Sequence, residues 1–200
     1  IGMSDLLERF ENQKPSEFRA RSEESLRWFR DQMRGLKVNV DQFYKQSDFD
    51  KTRRYLEGRM YTYFYDPKYS EVLPYYDIFP VTLILQLEQN GFMGLNFHYI
   101  PPRYRILLLS ELYKFAINED DESDDMQTRI RISYDILKAA QKFKWARPCL
   151  KRYLSTQVVG PALEVTPDHW DTIVMLPLAR FQKQTVKSVY ADSRRMVNGR

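Results

Sequence analysis

Residues 79–99 read Phe79-Pro80-Val81-Thr82-Leu83-Ile84-Leu85-Gln86-Leu87-Glu88-Gln89-Asn90-Gly91-Phe92-Met93-Gly94-Leu95-Asn96-Phe97-His98-Tyr99. Aliphatic residues recur at every second position of the first part, which predicts a strand from Phe79 to Glu88. Its buried face is expected to hold Val81, Leu83, Leu85 and Leu87. The pair Asn90-Gly91 is typical of a type I′ hairpin turn, because both residues tolerate positive φ, and Phe92 to Tyr99 returns as the next strand. Gly94 lacks a side chain and therefore permits a bulge or the close approach of a neighbouring backbone.

Further strand signals lie on both sides of this hairpin. Met60 to Tyr65 is rich in aromatic residues and Thr, which favour strands, and Asp66-Pro67 ends it. Leu73 to Asp77 is predicted to be a Pro-directed turn, and Gln157 to Val165 a further strand. The sequence therefore predicts an α+β fold, with a small antiparallel sheet of three to five strands packed against helices.

Helices are predicted before, within and after the sheet region. Pro101-Pro102 suits a first helical turn, and Ile106 to Ile117 is apolar around most of its circumference, which predicts burial against the sheet. The other predicted helices begin at Ser4, run from Ser22 to Gly35, and cover Thr128 to Lys144 and Asp168 to Leu176. We expect a helical N-terminal arm and linker (1–54), an α+β core (55–178) and a basic helical tail (179–200) that projects and frays.

Aromatic residues in polar surroundings are candidates for docking onto partners. Asn39 to Arg54 shows no sustained period and is predicted to be a linker, in which isolated rings suggest a partner contact. The alternative is that these rings close over the core of this chain. The predicted docking residues are Phe43 and Tyr44 in the linker, with Tyr69, Tyr75 and Tyr76 in or near the predicted turn from Leu73 to Asp77.

The chain is mildly basic, with 31 Lys and Arg against 27 Asp and Glu and a net charge of +4. Six of the acids lie between Glu119 and Asp125, and such a like-charge run is typical of a solvated loop. The remaining surface is therefore more cationic than the net charge indicates.

Composition argues against several classes of protein. The single Cys149 excludes an internal disulfide, and with His98 and His169 there are too few soft ligands for a structural zinc site. The apolar run Ile106 to Leu109 is far shorter than the ~20 residues of a membrane span, so we expect a soluble protein. Neither histidine has a nucleophile or carboxylate at a diagnostic spacing, and we predict no catalytic residue, metal or cofactor.

Two groups of basic residues are candidates for contact with a nucleic-acid backbone. The first forms a stripe on the second N-terminal helix: Arg27, Arg30, Arg34 and Lys37. The second consists of Lys142, Lys144, Arg147, Lys151 and Arg152. These residues are interleaved with Phe143, Trp145 and Tyr153, on which bases could stack. The alternatives are an ordinary solvated face for the first group and core aromatics within the second.

Several segments carry a family resemblance. They are Gly58-Arg59-Met60-Tyr61, Phe64-Tyr65-Asp66-Pro67-Lys68, Leu73-Pro74-Tyr75-Tyr76-Asp77-Ile78-Phe79-Pro80, residues 91–102, Pro148-Cys149-Leu150-Lys151-Arg152-Tyr153-Leu154, and Trp170 with Leu176-Pro177-Leu178-Ala179-Arg180-Phe181. In order and spacing they resemble the DNA end protector family of T-even-type tailed bacteriophages and their marine relatives. The resemblance touches residues 22–181.

The resemblance implies a minor structural protein of the virion, synthesised in the host cytoplasm and present in multiple copies. Such a protein binds the double-stranded DNA end near the portal and neck, contacts other virion proteins, and shields the end from host exonucleases. Two rivals stay open: a neck, tail or baseplate component that acts only through protein contacts, and a nuclease with carboxylates converging on Mg²⁺. Because the acids of 119–125 do not lie on a rigid element, we expect that the protein is not an enzyme.

Overall fold

The computed structural model describes residues 31–116 and 142–199, together with residues 8, 28 and 138. The strands are β1 (Lys51–Thr52), β2 (Met60–Tyr65), β3 (Tyr76–Asp77), β4 (Val81–Glu88), β5 (Gly91–Asn96), β6 (Leu150–Leu154), β7 (Val158–Val165) and β8 (Phe181–Gln182). The α-helices are α1 (Val40–Gln46), α2 (Pro102–Ala116), α3 (Trp170–Met175) and α4 (Val186–Val197), and residues 28 and 31–33 are also helical. Short 3₁₀ helices cover Phe97–Tyr99, Lys144–Cys149, Ser155–Gln157 and Pro167–His169. The predictions for the acidic run and for most of the helix at 128–144 lie outside the described residues.

Within the described residues, six strands form one antiparallel sheet in the order β1-β7-β2-β4-β5-β6, while β3 pairs with β8 separately. The α+β prediction is confirmed, but the expected three to five strands are too few. The longest strand that the sequence analysis missed is β6, which pairs with β5. Its sequence, Leu150-Lys151-Arg152-Tyr153-Leu154, has two adjacent cations and no apolar alternation, so the period of two that marks a half-buried strand is absent.

The β4–β5 hairpin is confirmed, but its turn differs from the one predicted. Glu88 pairs with Gly91, so Gln89 and Asn90 form the loop. Neither Asn90 nor Gly91 has a positive φ, and the type I′ prediction is therefore wrong. Gly91 instead begins β5, where a Cβ would lie 1.8 Å from the backbone oxygen of Tyr153. The glycine is needed for the close approach of β6 and not for the turn.

A bulge in β4 decides which way the end of this strand faces. The register shifts between Ile84 and Gln86, so Leu85 is an extra residue. Beyond it the alternation reverses, and Leu87 is 43% exposed. The prediction that Leu87 shares the buried face of the strand is therefore wrong. The role predicted for Gly94 is confirmed, because it pairs at the bulge and a Cβ there would lie 2.7 Å from the backbone of β4.

The two faces of the sheet bury different kinds of side chain, because successive strand residues point to opposite faces. One face, here called the aliphatic side, packs against α2 and α3. Its residues include Met60, Val81, Leu83, Leu95 and Val165, with Leu108, Leu109, Ile173 and Val174 from the helices. The other face, here called the tyrosine side, includes Tyr61, Tyr63, Tyr65, Phe92 and Tyr153. Many of its rings meet edge to face, as Tyr65 and Tyr153 do at a centroid distance of 4.9 Å.

A buried arginine joins helices α2, α3 and α4. Arg105 is 3% exposed, and its Nε donates to the backbone oxygen of Ile100 at 2.8 Å. Its terminal nitrogens donate to the backbone oxygen of Val174 at 2.8 Å and to the hydroxyl of Tyr190 at 2.7 Å. The charge is therefore compensated by oriented acceptors.

Helix α4 packs against the core. Val189 and Ser193, one turn apart, are buried, and Ser193 donates to the backbone oxygen of Tyr99 at 2.6 Å. The expectation that the C-terminal segment projects and frays is therefore wrong for α4. The buried stripe is short, and the basic residues around it gave the segment the composition of a free tail.

The predicted linker contains ordered elements. Asn39 caps α1, its Oδ1 accepting from the backbone N–H of Gln42 at 3.1 Å, and β1 pairs with β7. Phe43 is completely buried and meets Phe79 at a centroid distance of 6.2 Å. The linker prediction is wrong because α1 has only two turns, too few to show a repeat. The division into arm, core and tail stays a prediction, although the buried core takes residues from Val38 to Val189.

Candidate nucleic-acid interface

A cavity of about 400 Å³ lies beside the tyrosine side of the sheet. Its walls come from residues 65–77, from Tyr99 after β5, and from β6. The lining is rich in rings and cations: Tyr65, Tyr69, Tyr75, Tyr76, Tyr99 and Tyr153, with Lys68, Lys151 and Arg152. Its volume falls within the ~300–1,000 Å³ typical of sites for small ligands.

Cations lie against ring faces on two walls of the cavity. The Nζ of Lys151 is 4.0 Å from the ring centroid of Tyr99, and the Nζ of Lys68 is 5.4 Å from that of Tyr69. Both distances are within the ~6 Å range of cation–π attraction. Lys151 is half-buried, and desolvation lowers the pKa of its ammonium group from the ordinary value. The lining therefore combines positive charge with aromatic surface.

The outer wall of the cavity is the loop at 67–74, and contacts within this chain hold it at two points. The ammonium of Lys183 donates to the backbone oxygens of Ser70, Glu71 and Leu73, at 3.0 Å for Glu71 and 2.9 Å for Leu73. Lys183 has a φ of +68°, in the left-handed region that residues with a side chain rarely adopt. The pairing of β3 with β8 fixes the other end of the same loop. The position of the wall is thus set by contacts within this chain.

Asp77 lies at the floor of the cavity and organises a buried hydrogen-bond network. Its Oδ1 accepts from two backbone N–H groups at 3.0 Å each. Its Oδ2 accepts from Asn96 Nδ2 at 3.2 Å and contacts His98 Nδ1 at 2.5 Å. Asn96 also donates to the hydroxyl of Tyr153 at 3.0 Å, which links the floor to the tyrosine side.

The charge state of this network follows from its contacts. Burial by itself raises the pKa of Asp77, but His98 and the backbone donors outweigh burial and leave the pKa below its ordinary value. Desolvation lowers the pKa of His98, and Asp77 offsets only part of that effect. At neutral pH the carboxylate is charged and the imidazole is neutral, with its Nδ1–H donated to Asp77. The prediction that His98 lacks a carboxylate partner is wrong, because the partner lies 21 residues away in sequence.

The second basic group turns its cations outward and its rings inward. Its exposed cations are Lys142, Lys144, Arg147 and Arg152, and Lys151 is half-buried. Trp145 stacks on Tyr104 with ring centroids 3.5 Å apart, and Phe143 packs against the aliphatic core. Tyr153 is buried on the tyrosine side. These rings pack into the core of this chain, as the alternative interpretation has it, with Phe143 and Trp145 partly buried and Tyr153 in the wall of the cavity.

The first basic group is only partly described. Arg27 and Arg30 lie outside the described residues. The side chain of Arg34 is 84% exposed and lies 3.6 Å from Asp31, and Lys37 is also exposed. Neither Arg34 nor Lys37 lines the cavity. Their contact with nucleic acid stays a prediction.

The cavity brings together residues that the sequence had placed in separate groups. Lys151 and Arg152 come from the second basic group, and Tyr69, Tyr75 and Tyr76 from the docking residues. Lys68, Tyr99 and Lys183 were not among the site residues predicted from the sequence. The signal for Lys68 is its position directly before Tyr69, a cation beside an aromatic residue just after the predicted end of a strand at Asp66-Pro67.

The docking prediction is wrong for Phe43 and stays a prediction for Tyr44, which is partly buried. Phe43 has no exposed surface, and the hydroxyl of Tyr44 donates to the backbone oxygen of Pro161 at 2.6 Å. Tyr44 also meets Phe64 at a centroid distance of 5.1 Å. These rings close over the core of this chain, whereas Tyr69 is 61% exposed.

Three further observations on the described residues concern metal binding, membrane-spanning helices and the cysteine thiol. Among the described residues, no group of three or more His, Cys, Asp or Glu side chains could hold a metal ion. In the same part of the chain, none of the helices has the length and apolar character needed to cross a membrane. Burial raises the pKa of the Cys149 thiol to about 12.

The described residues define a mixed α and β protein with a basic cavity lined by rings, and the family comparison places it among bacteriophage proteins. The family described as Phage T4 terminal DNA protecting protein matches residues 4–196, and the chain belongs to that family. The resemblance stated from the sequence is thereby confirmed. A search of curated proteins found no match, and a search of solved structures found none either.

Proposed function

We propose that this protein binds the ends of the packaged phage genome near the portal and neck of the virion and blocks host exonucleases there. The observation that carries the proposal is the basic segment from Lys142 to Arg152. It turns cations outward at residues 142, 144 and 147, and it continues directly into the cavity through Lys151 and Arg152. The family description supports the same function.

The binding energy in this proposal is mainly electrostatic. Lysine and arginine contacts to phosphates release counterions and carry no sequence information, which suits a protein that must bind any genome end. The segment is anchored by the stack of Trp145 on Tyr104, so its exposed cations project from a fixed backbone. Protection then needs no covalent step, because an exonuclease must thread a free end that the protein covers.

The assembly in this proposal contains several copies of the chain and other virion proteins of the portal, neck or tail. A large part of the loop at 67–74 is available for such contacts, since Tyr69 is 61% and Val72 80% exposed. These exposures also favour the second candidate, a neck or tail component that acts through protein contacts alone.

The test is protection of linear duplex DNA from a processive exonuclease, together with binding measured over a range of salt concentrations. We expect the triple variant Lys142→Glu, Lys144→Glu, Arg147→Glu to lose protection. The slope of log affinity against log salt should fall by roughly 0.9 for each phosphate that the variant no longer neutralises. The matched control is Lys45→Glu, Arg53→Glu, Arg54→Glu, which makes the same charge change at exposed residues outside the cavity lining.

Two results decide between the candidates. Equal protection by the wild type and the triple variant, with an unchanged salt slope, would contradict the DNA contact proposed for this segment. If such a variant also fails to assemble into particles, the function through protein contacts is the better description.

A further inference from the structure

We infer that the cavity binds the terminal nucleotide of a DNA end, with its base against the tyrosine rings and its phosphate beside Lys68, Lys151 and Arg152. The inference rests on the proposed function and adds to it the part of the DNA that the protein recognises. It makes the free end itself, and not the duplex in general, the ligand of the cavity.

The rings at the mouth of the cavity are suited to a planar base. Tyr69 is 61% exposed and Tyr76 is half-exposed, in contrast to the buried rings of the adjoining tyrosine side. A base can stack on an aromatic face whatever its identity, which gives binding without a sequence code. The Nζ of Lys68 lies over the ring of Tyr69, so a base that stacks there has a cation beside it.

The charges of the lining favour an anion. The lining contains three cations, Lys68, Lys151 and Arg152, and a single carboxylate, that of Asp77, whose oxygens are already occupied by four donors. Arg152 is shared with Glu88 at 2.6 Å, an exposed pair that is weak in solution. Lys151 contacts the ring of Tyr99 and, within the described part of the chain, no carboxylate. A phosphate oxygen would replace the hydration that Lys151 loses in its half-buried position.

The size of the cavity limits how much DNA can enter. A volume of about 400 Å³ suits one small planar ligand with its phosphate and is too small for a base-paired duplex. Moving a nucleotide out of the stack costs least where it is already unpaired, which is the state of a frayed or overhanging terminus. The occupant that satisfies the rings, the charges and the volume is therefore a terminal nucleotide.

The experiment compares binding to a linear duplex with binding to a covalently closed circular duplex of the same sequence, in the full chain. We expect the wild type to prefer the linear DNA. The double variant Tyr69→Ala, Tyr76→Ala should reduce this preference about tenfold or more, because it removes the rings on which the base stacks, and should leave binding to the circle unchanged. Tyr69→Phe, Tyr76→Phe keeps the ring faces and should keep the preference.

A matched control variant and a small-molecule competitor are measured beside these variants. Val72→Ala changes an exposed residue of the same loop outside the cavity lining and should have no effect. Thymidine 5′-monophosphate should compete with linear DNA more strongly than thymidine or inorganic phosphate, because it alone supplies both the ring and the charge. Tyr69→Ala and Lys68→Ala, both at exposed positions, provide single changes if the double variant does not fold.

The outcomes separate this inference from the proposed function. If the wild type protects and prefers ends while the alanine variants keep that preference and the nucleotide does not compete, the inference is overturned and the proposed function stands. If the wild type shows no preference for ends, both fail. Loss of preference in the alanine variants, with retention in the phenylalanine variants, supports the inference.

Discussion

The two faces of the sheet are built by the same strands but do different work. The aliphatic side is covered by α2 and α3, and most of its side chains are Leu, Ile, Val and Met, which contribute by packing alone. The tyrosine side holds rings whose hydroxyls also form hydrogen bonds. Tyr63 donates to Thr82 Oγ1 at 3.1 Å, and Tyr65 accepts from the backbone N–H of Leu154 at the same distance.

The comparison of the two faces shows how a stable core can continue into the proposed binding site. Tyr65 and Tyr153 belong both to the tyrosine side and to the cavity lining. A buried tyrosine gives apolar contact area through its ring and a polar contact through its hydroxyl, so it can stand at the boundary between core and ligand. We therefore expect changes on the aliphatic side to alter stability alone, and changes toward the cavity to alter binding.

The largest expected effect is on the aliphatic side. Leu83→Ala should lower the free energy of unfolding by about 2–5 kcal/mol, because Leu83 is completely buried. Leu87→Ala in the same strand should cost less than about 1 kcal/mol, because the bulge turns Leu87 to an exposed position. Urea unfolding measures both. Equal losses would show that the two leucines share a face after all.

The next largest effect on stability is expected at the hydrogen-bond network on the cavity floor. Asp77→Asn removes the charge that accepts from His98 and Asn96, and we expect it to cost about 1.5–3 kcal/mol at pH 7. Asp66→Asn, at an exposed position nearby in sequence, is the control and should be close to neutral. Urea unfolding of the two variants should separate them. If Asp77→Asn left the free energy of unfolding unchanged, the network at the cavity floor would not depend on the charge of Asp77.

The buried histidine predicts how stability changes with pH. Below about pH 6.5 the unfolded chain protonates His98, whereas desolvation keeps its pKa lower in the folded state. The unfolded state then binds more protons, so the free energy of unfolding falls on acidification from pH 7 to 5, by at most ~1.4 kcal/mol per pH unit for one group. The pKa of Asp77 is lowered, and its contribution is lost only below about pH 4.

Unfolding experiments at pH 7, 6 and 5 test this dependence. His98→Gln should reduce the slope, because glutamine does not titrate. An unchanged slope in His98→Gln would show that another group causes the acid sensitivity.

Local signals predicted most of the sheet and little of the site. The alternation in Val81 to Glu88 and the missing side chain of Gly94 are local features, so the strand and the close approach at Gly94 were readable from a short window. The bulge at Leu85, which turns Leu87 to an exposed position, was not. The cavity joins residues 65–77, 99 and 151–154, and no local pattern reports such a meeting. Burial is also a tertiary property. Tyr44 and Tyr69 have similar polar neighbours in sequence, yet one is hydrogen-bonded into the core and the other is exposed.

The smallest expected change in stability tests whether the cavity wall must be held in place. Lys183→Met removes the ammonium that bonds the backbone oxygens of the loop, at a mostly exposed position, and should cost less than about 1 kcal/mol. The loop should nevertheless open more often, which would be seen as faster exchange of the amides of Ser70, Val72 and Leu73. Preference for linear DNA should weaken with it, since a mobile wall must be ordered again on binding. Lys187→Met, on the exposed face of α4, removes the same charge without touching the loop and should change neither quantity. If both variants weaken the preference equally, the loss comes from net charge, and the position of the wall has no part in recognising the end.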